Sequence, residues 1–247
     1  MPGLDPDIDP TQYALVYGLR RTRATLAAWR DDRWRVVGYW FAGSFAAAAV
    51  LLLAVWGVAT VASPSHYVSL IHPPIRVGGL GDIFRILGYN MLVLTLHAMA
   101  CVAGFIAGSS LPLQAQRHTG FRRGIHEHGG RFAIAFVIGA TTFSLSVQSL
   151  RLGFTASSVA QQLNVSDGLL LLSLLPHAIP ELMALFLPLA AWIIASRRGE
   201  WDQLLAATFV TVAIAVPMLI CSALFEVYLA PHVTSALLST SPGLCQC

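Results

Sequence analysis

The sequence predicts an all-α polytopic membrane protein. It is read as a bundle of about five transmembrane helices, with the N-terminus in the cytoplasm, the C-terminus outside and a broken fourth span. Three observations carry that reading. Of 247 residues, 56% are hydrophobic and only 11% charged, whereas soluble domains carry about 25% charged residues. Five apolar runs are long enough to cross a bilayer, at roughly 37–62, 84–113, 132–150, 169–195 and 204–229. The arginines then give the orientation. There is no lysine, and twelve of the fifteen basic residues fall before span one, between spans two and three, or between spans four and five. Only Arg76, Arg85 and Arg151 fall on the other side, and the positive-inside rule makes the arginine-rich side cytoplasmic. An odd number of spans agrees with that result. The formal charge of +3 does not indicate nucleic-acid binding, because the basic residues lie beside apolar spans and not along one face.

The chain divides into a cytoplasmic segment at 1–35, a membrane bundle at 36–230 and an extracytoplasmic tail at 231–247. The first residues are acidic and punctuated by Pro6 and Pro10; residues 11–30 then read as a moderately amphipathic helix. Leu15, Leu19, Leu26 and Trp29 recur at helical spacing, with Thr22 interrupting the stripe. Such a helix either lies at anionic headgroups or leads, solvated, into span one. Span one is not a cleaved signal, since it is too long for a signal h-region and some 36 polar-rich residues precede it. The outer loop at 63–82 is rich in Pro and Gly and reads as irregular.

In span two, Gly104 and Gly108 form a Gly-x-x-x-Gly pair, which permits close helix approach either within the chain or between copies. The following loop, 116–131, holds His118, His126 and His128 among several arginines, and reads as a basic loop at headgroups in preference to a metal site. Cys101 and Cys221 sit inside spans as small packing residues. Cys245 and Cys247 lie on the outer tail, where a strained internal ring, an intermolecular disulfide and free thiols all stay open.

Spans four and five carry the chemistry. His177 and Glu181 lie in the run 175–182, and Glu226 and His232 in the run 223–232. A carboxylate at membrane depth is costly and ordinarily faces a bundle interior or a water-filled cavity with a partner. Span four also contains Pro176, Pro180 and Pro188, each of which removes a backbone donor and crowds the preceding turn. The expectation is therefore a helix interrupted between Leu175 and Glu181, with a short half-helix at 169–175. His177 and Glu181, four apart, share a face, as do Asn90 and His97 on span two, seven apart. Asn90, His97, His177, Pro180, Glu181 and Glu226 are expected to converge on one outward-opening polar cavity. Within it, Glu181 should meet polar groups of another span, with Asn90, His97 and Glu226 as the candidates.

The residues of three segments resemble a known family. The run PHAIPELMALFLPLAAW (176–192) is similar to the Pro-His-Gly-Ile-x-Glu-like signature of the stage II sporulation protein M (SpoIIM-like) family. ALFEVYLAPHV (223–233) looks like its last span, and GYNMLVLTLHAMACVAGFIAG (88–108) resembles its second, with Asn90 at the family's asparagine. The resemblance covers about 82–233; Ala178 stands where the family has Gly. It implies a membrane protein that works with an extracytoplasmic partner: one family member assembles cell-wall hydrolases, and others are encoded with circular peptides and implicated in their maturation or export. It implies no reaction.

Three readings of the cluster follow. In the first it ties helices together through buried hydrogen bonds, worth about 0.6 to 2 kcal/mol each. In the second it forms a substrate or proton pathway beside a broken helix. In the third His177 and Glu181 are catalytic, or supply metal ligands together with His97 or Glu226. No His-Glu-x-x-His motif, nucleophile elbow or phosphate-cradling loop is present, and no cofactor or resident metal is expected. The sequence thus points to a bacterial cytoplasmic-membrane subunit whose partners are membrane lipid and a protein or peptide, with a second copy as a further candidate and an intramembrane peptide- or lipid-processing enzyme as the alternative.

Overall fold

The computed structural model describes residues 14–62, 78–110 and 121–239. The described chain is helical and contains no strand among those residues. We number its helices α1 (Ala14–Ala28), α2 (Arg33–Val61), α3 (Leu80–Phe105), α4 (Phe121–Gln162), α5 (Asp167–Arg198), α6 (Leu204–Leu224) and α7 (Ala230–Ser239). A π-turn, Ile106–Ser110, extends α3, a 3₁₀ turn, Trp201–Gln203, leads into α6, and a second π-turn, Phe225–Leu229, joins α6 to α7. Five helices are long and apolar enough to cross a membrane: Arg33–Val61, Leu80–Gly108, Ile134–Gln162, Asp167–Arg198 and Trp201–Ala236. These are the five apolar runs of the sequence, lengthened at most ends because helices continue through polar residues that hydropathy discounts.

Two expectations are corrected. The fourth span is not interrupted: α5 runs without a break through Pro176, Pro180 and Pro188, so there is no half-helix at 169–175. Each proline withholds the donor of the carbonyl four residues before it, those of 172, 176 and 184, and the helix carries these losses without a break. Next to one of them the hydroxyl of Ser222 adds a bond from the neighbouring helix to the carbonyl of His177 at 2.9 Å. The basic loop at 116–131 is also partly helix, because α4 begins at Phe121 and includes positions 126 and 128. His118, Cys245 and Cys247 lie outside the described residues. The expected tail is helical as far as Ser239.

The helices fall into two compact units, and each spanning helix contributes a segment to both. Unit 1 gathers 1–43, 95–138 and 187–213. Here Arg35 and Arg198 both sit over the ring of Tyr39, at 6.0 and 5.5 Å, and Arg33 over Trp34 at 5.6 Å, an arginine-aromatic arrangement typical of a membrane interface. Helix α1 docks in this unit. Arg21 pairs with Asp202 at 3.7 Å, Trp29 meets Trp40 edge-on at 5.2 Å, and Gly18 lies against Leu205 and Phe105. The docked face is Gly18, Thr25 and Trp29, while Leu19 is exposed, so the inward face is rotated from the leucine stripe. The glycine pair of α3 serves packing within the chain. A Cβ on Gly104 would come within 2.6 Å of the Trp192 indole nitrogen, and one on Gly108 would overlap Trp201. The Cys101 thiol donates to the carbonyl of Pro188 at 3.1 Å.

Unit 2 gathers 44–94, 139–186 and 214–247. Leu94, Ala184, Leu185, Ala215 and Leu219 form one core among α3, α5 and α6. Ala59, Ala156, Ala160 and Leu170 form another among α2, α4 and α5. Gly153 lets α4 close on α2, for a Cβ there would meet Val58 at 2.5 Å.

Candidate functional site

The site lies in unit 2 and is assembled from the start of α3, the middle of α5 and the π-turn after α6. Ile83 on α3 packs with Ala223 and Val227, with Ile86 and Leu87 beside them. The same contact brings the Gly78 amide to the carbonyl of Val227 at 3.4 Å. A donor from outside the helix entering the ladder is a recognised cause of a local break in i to i+4 bonding, and Val227 lies inside the π-turn. The turn carries Glu226. Asp82 caps the start of α3 by accepting from the Gly79 amide at 3.0 Å and pairs with Arg85 at 3.1 Å. This places a fixed guanidinium within electrostatic reach of Glu226.

One and a half turns further along α3 stands Asn90, only 8% exposed. Its side-chain amide donates to Oε1 of Glu181 on α5 at 2.7 Å. Glu181 is in turn within electrostatic reach of Glu226. The structure therefore joins Asn90 and Glu181 from two spans, with Glu226 within electrostatic reach of both Glu181 and Arg85. At that length the contact is a strong hydrogen bond, and in an apolar bundle neither side chain has water as a ready alternative partner.

His177 behaves differently. It shares a face with Glu181 by spacing, yet its ring stacks on Phe225 with centroids 6.3 Å apart. Its Nδ1 is buried and has no hydrogen-bond partner. Its contribution to tertiary bonding is the carbonyl that accepts from Ser222. Beside it, Pro176 and Pro180 of α5, Pro217, Met218, Cys221 and Ser222 of α6, and Phe225 line a cavity of 360 Å³. Pro180 thus lines a cavity without interrupting its helix. His97 falls in unit 1 and not in unit 2 with Asn90 and Glu181.

The residues that sequence reasoning missed are Ser222, Pro217, Phe225 and Arg85. Ser222 lies four residues before Glu226 and Pro217 four before Cys221, so helical spacing from Glu226 and the cavity wall would have found them. Arg85 carried a signal as one of three arginines on the sparse side, but its reach to Glu226 depends on the π-turn. A second, wholly apolar groove of 370 Å³ runs between α2 and α5 from Phe45 to Trp56 and from Gly168 to Ile179. It offers surface to lipid and no chemistry. Among the described residues no group of three or more His, Cys, Asp or Glu side chains is arranged to hold a metal ion.

Comparison with protein-family models, curated proteins and solved structures returned no match to this chain. Its reading rests on the site itself.

Proposed function

We propose that this protein is a multipass subunit of a bacterial cytoplasmic membrane, similar to the SpoIIM-like family, that scaffolds or helps move an extracytoplasmic partner such as a cell-wall hydrolase or a secreted peptide. The observation that carries the reading is the Asn90–Glu181 bond, with Glu226 within electrostatic reach of Glu181. Polar groups inside a membrane bundle are costly and mark interaction sites or paths, and here they join two spans next to a π-turn, a feature common at functional sites. The orientation follows from the arginines. Arg33 and Arg35 at the start of α2 and Arg197 and Arg198 at the end of α5 mark helix ends that we take as cytoplasmic, so Glu181, about four turns before Arg197 on α5, lies toward that helix's outer end.

The alternative, an intramembrane enzyme using His177 and Glu181, draws support from the unpartnered Nδ1 of His177. The two readings differ at Glu181→Gln. The glutamine carbonyl still accepts from Asn90, so a scaffold keeps its partner and its stability, whereas a catalyst or proton relay stays folded and loses its output. The test is affinity purification of the full chain from its native membrane, with mass spectrometry of bound protein and lipid, for the wild type and for Glu181→Gln. The proposal expects the same envelope partner in both. A partner-free chain, or a Glu181→Gln variant that folds but abolishes a measurable conversion of peptide or lipid, overturns it.

A further inference from the structure

Helix α4 is the least apolar of the five spans and the least covered, with 6% of its most apolar window buried inside the chain, against 56% for α5. Its two sides differ in kind. Ser149, Gly153, Ala156, Ser157 and Ala160 are buried, and Gly153 seats this side on Val58 of α2. Ser144, Gln148, Arg151 and Thr155, spaced four, three and four apart, lie on one face on the far side of the helix. Ser144, Arg151 and Thr155 are exposed and Gln148 is partly buried.

The internal bonding of this face leaves groups over. Thr155 returns its hydroxyl to the carbonyl of Arg151 at 2.9 Å, which satisfies it. The Gln148 amide donates to the Ser144 hydroxyl at 3.3 Å; its second N–H and its carbonyl oxygen are left for a group from outside the chain. Among the described residues no carboxylate pairs with Arg151. A polar stripe of this kind turned toward acyl chains is disfavoured, and side-chain hydrogen bonds between helices are the ordinary means of covering it.

The geometry points to a second copy of this chain as the occupant, with α4 packed against α4 of the partner in a parallel pair. Copies inserted into one membrane share an orientation, so two α4 helices meet at equal depth and a two-fold axis sets Gln148 against Gln148 of the partner subunit. A carboxamide is self-complementary, since each amide donates one N–H and accepts with its carbonyl, and the pair uses the groups that Ser144 leaves over. Arg151 lies one turn further toward the outer end of the span, and its long side chain can extend along the helix toward that end, so the two guanidinium groups need not oppose each other. This interface is independent of the Asn90–Glu181 cluster.

The test is oxidative cross-linking in native membranes of the full chain with its four cysteines replaced by serine. Ser144→Cys and Thr155→Cys should give a covalent dimer, and Leu150→Cys, exposed on a lipid-facing side of the same helix, should not. In lipid nanodiscs, Gln148→Leu should weaken self-association roughly tenfold or more, corresponding to about 1.4 kcal/mol, and Gln148→Asn should restore part of it. Gln148→Leu makes the span more apolar, so its insertion is not at risk. A wild-type chain that stays monomeric over the concentration range, equal cross-linking at Leu150→Cys, unchanged association of Gln148→Leu, or cross-linking of Ser144→Cys to a different protein would each overturn the proposal.

Discussion

Ser222 on α6 donates its hydroxyl to the main-chain carbonyl of His177 on α5 at 2.9 Å, three residues before Pro180. Pro180 withholds the donor of the Pro176 carbonyl, and at the adjacent carbonyl Ser222 adds a hydrogen bond that ties α6 to α5. Removing it with Ser222→Ala should destabilise the protein by about 0.6 to 2 kcal/mol, with Ser222→Thr much closer to wild type. Reversible unfolding in mixed micelles measures the difference. An unchanged Ser222→Ala would mean that this bond between α5 and α6 adds nothing to stability.

The glycines of α3 make a contrast within one helix. Gly104→Ala forces a methyl against the Trp192 indole, and Gly108→Ala forces one into Trp201. Overpacking of this kind costs about 1 to 3 kcal/mol. Gly88, by contrast, has open space around its Cβ position, and Gly88→Ala should be neutral or stabilising by up to about 1 kcal/mol through helix propensity. Melting temperatures of the three variants in one detergent check the order. Equal effects at all three would sink the packing account.

Much of this was legible in the sequence for a simple physical reason: lipid leaves few options. An apolar run of more than twenty residues must be a helix, and Glu181 within one must find a polar partner, so Asn90 could be named before its bond was seen. The interruption expected in span four does not occur because the proline rule describes a helix alone, whereas here α5 is packed on both sides by other spans and runs continuously from Asp167 to Arg198. The docking of α1 was not legible, because hydropathy ranks leucine above glycine, whereas close approach to Leu205 and Phe105 selects Gly18. The π-turn around Glu226 depends on the Gly78 amide reaching Val227, and no local pattern encodes a donor so distant in the chain.

Topology is open to direct labelling. With native cysteines replaced by serine, Ser65→Cys should react with a membrane-impermeant maleimide from outside the cell, and Glu200→Cys only after permeabilisation. Glu200 is preferred to its neighbour Gly199, which adopts φ 71° and would be strained by a side chain. Outside labelling at Glu200→Cys would reverse the orientation and move the Asn90–Glu181 cluster to the cytoplasmic leaflet.

The central claim is that Asn90 and Glu181 are energetically joined across two spans, as their 2.7 Å contact implies. The most direct measurement is a double-mutant cycle of Asn90→Leu, Glu181→Leu and the pair, by reversible unfolding in one mixed-micelle condition. The account predicts that the single variants are each destabilised and that the second substitution costs less once the first is made, with a coupling energy of about 1 to 2 kcal/mol. Strict additivity, with a coupling indistinguishable from zero, would contradict it.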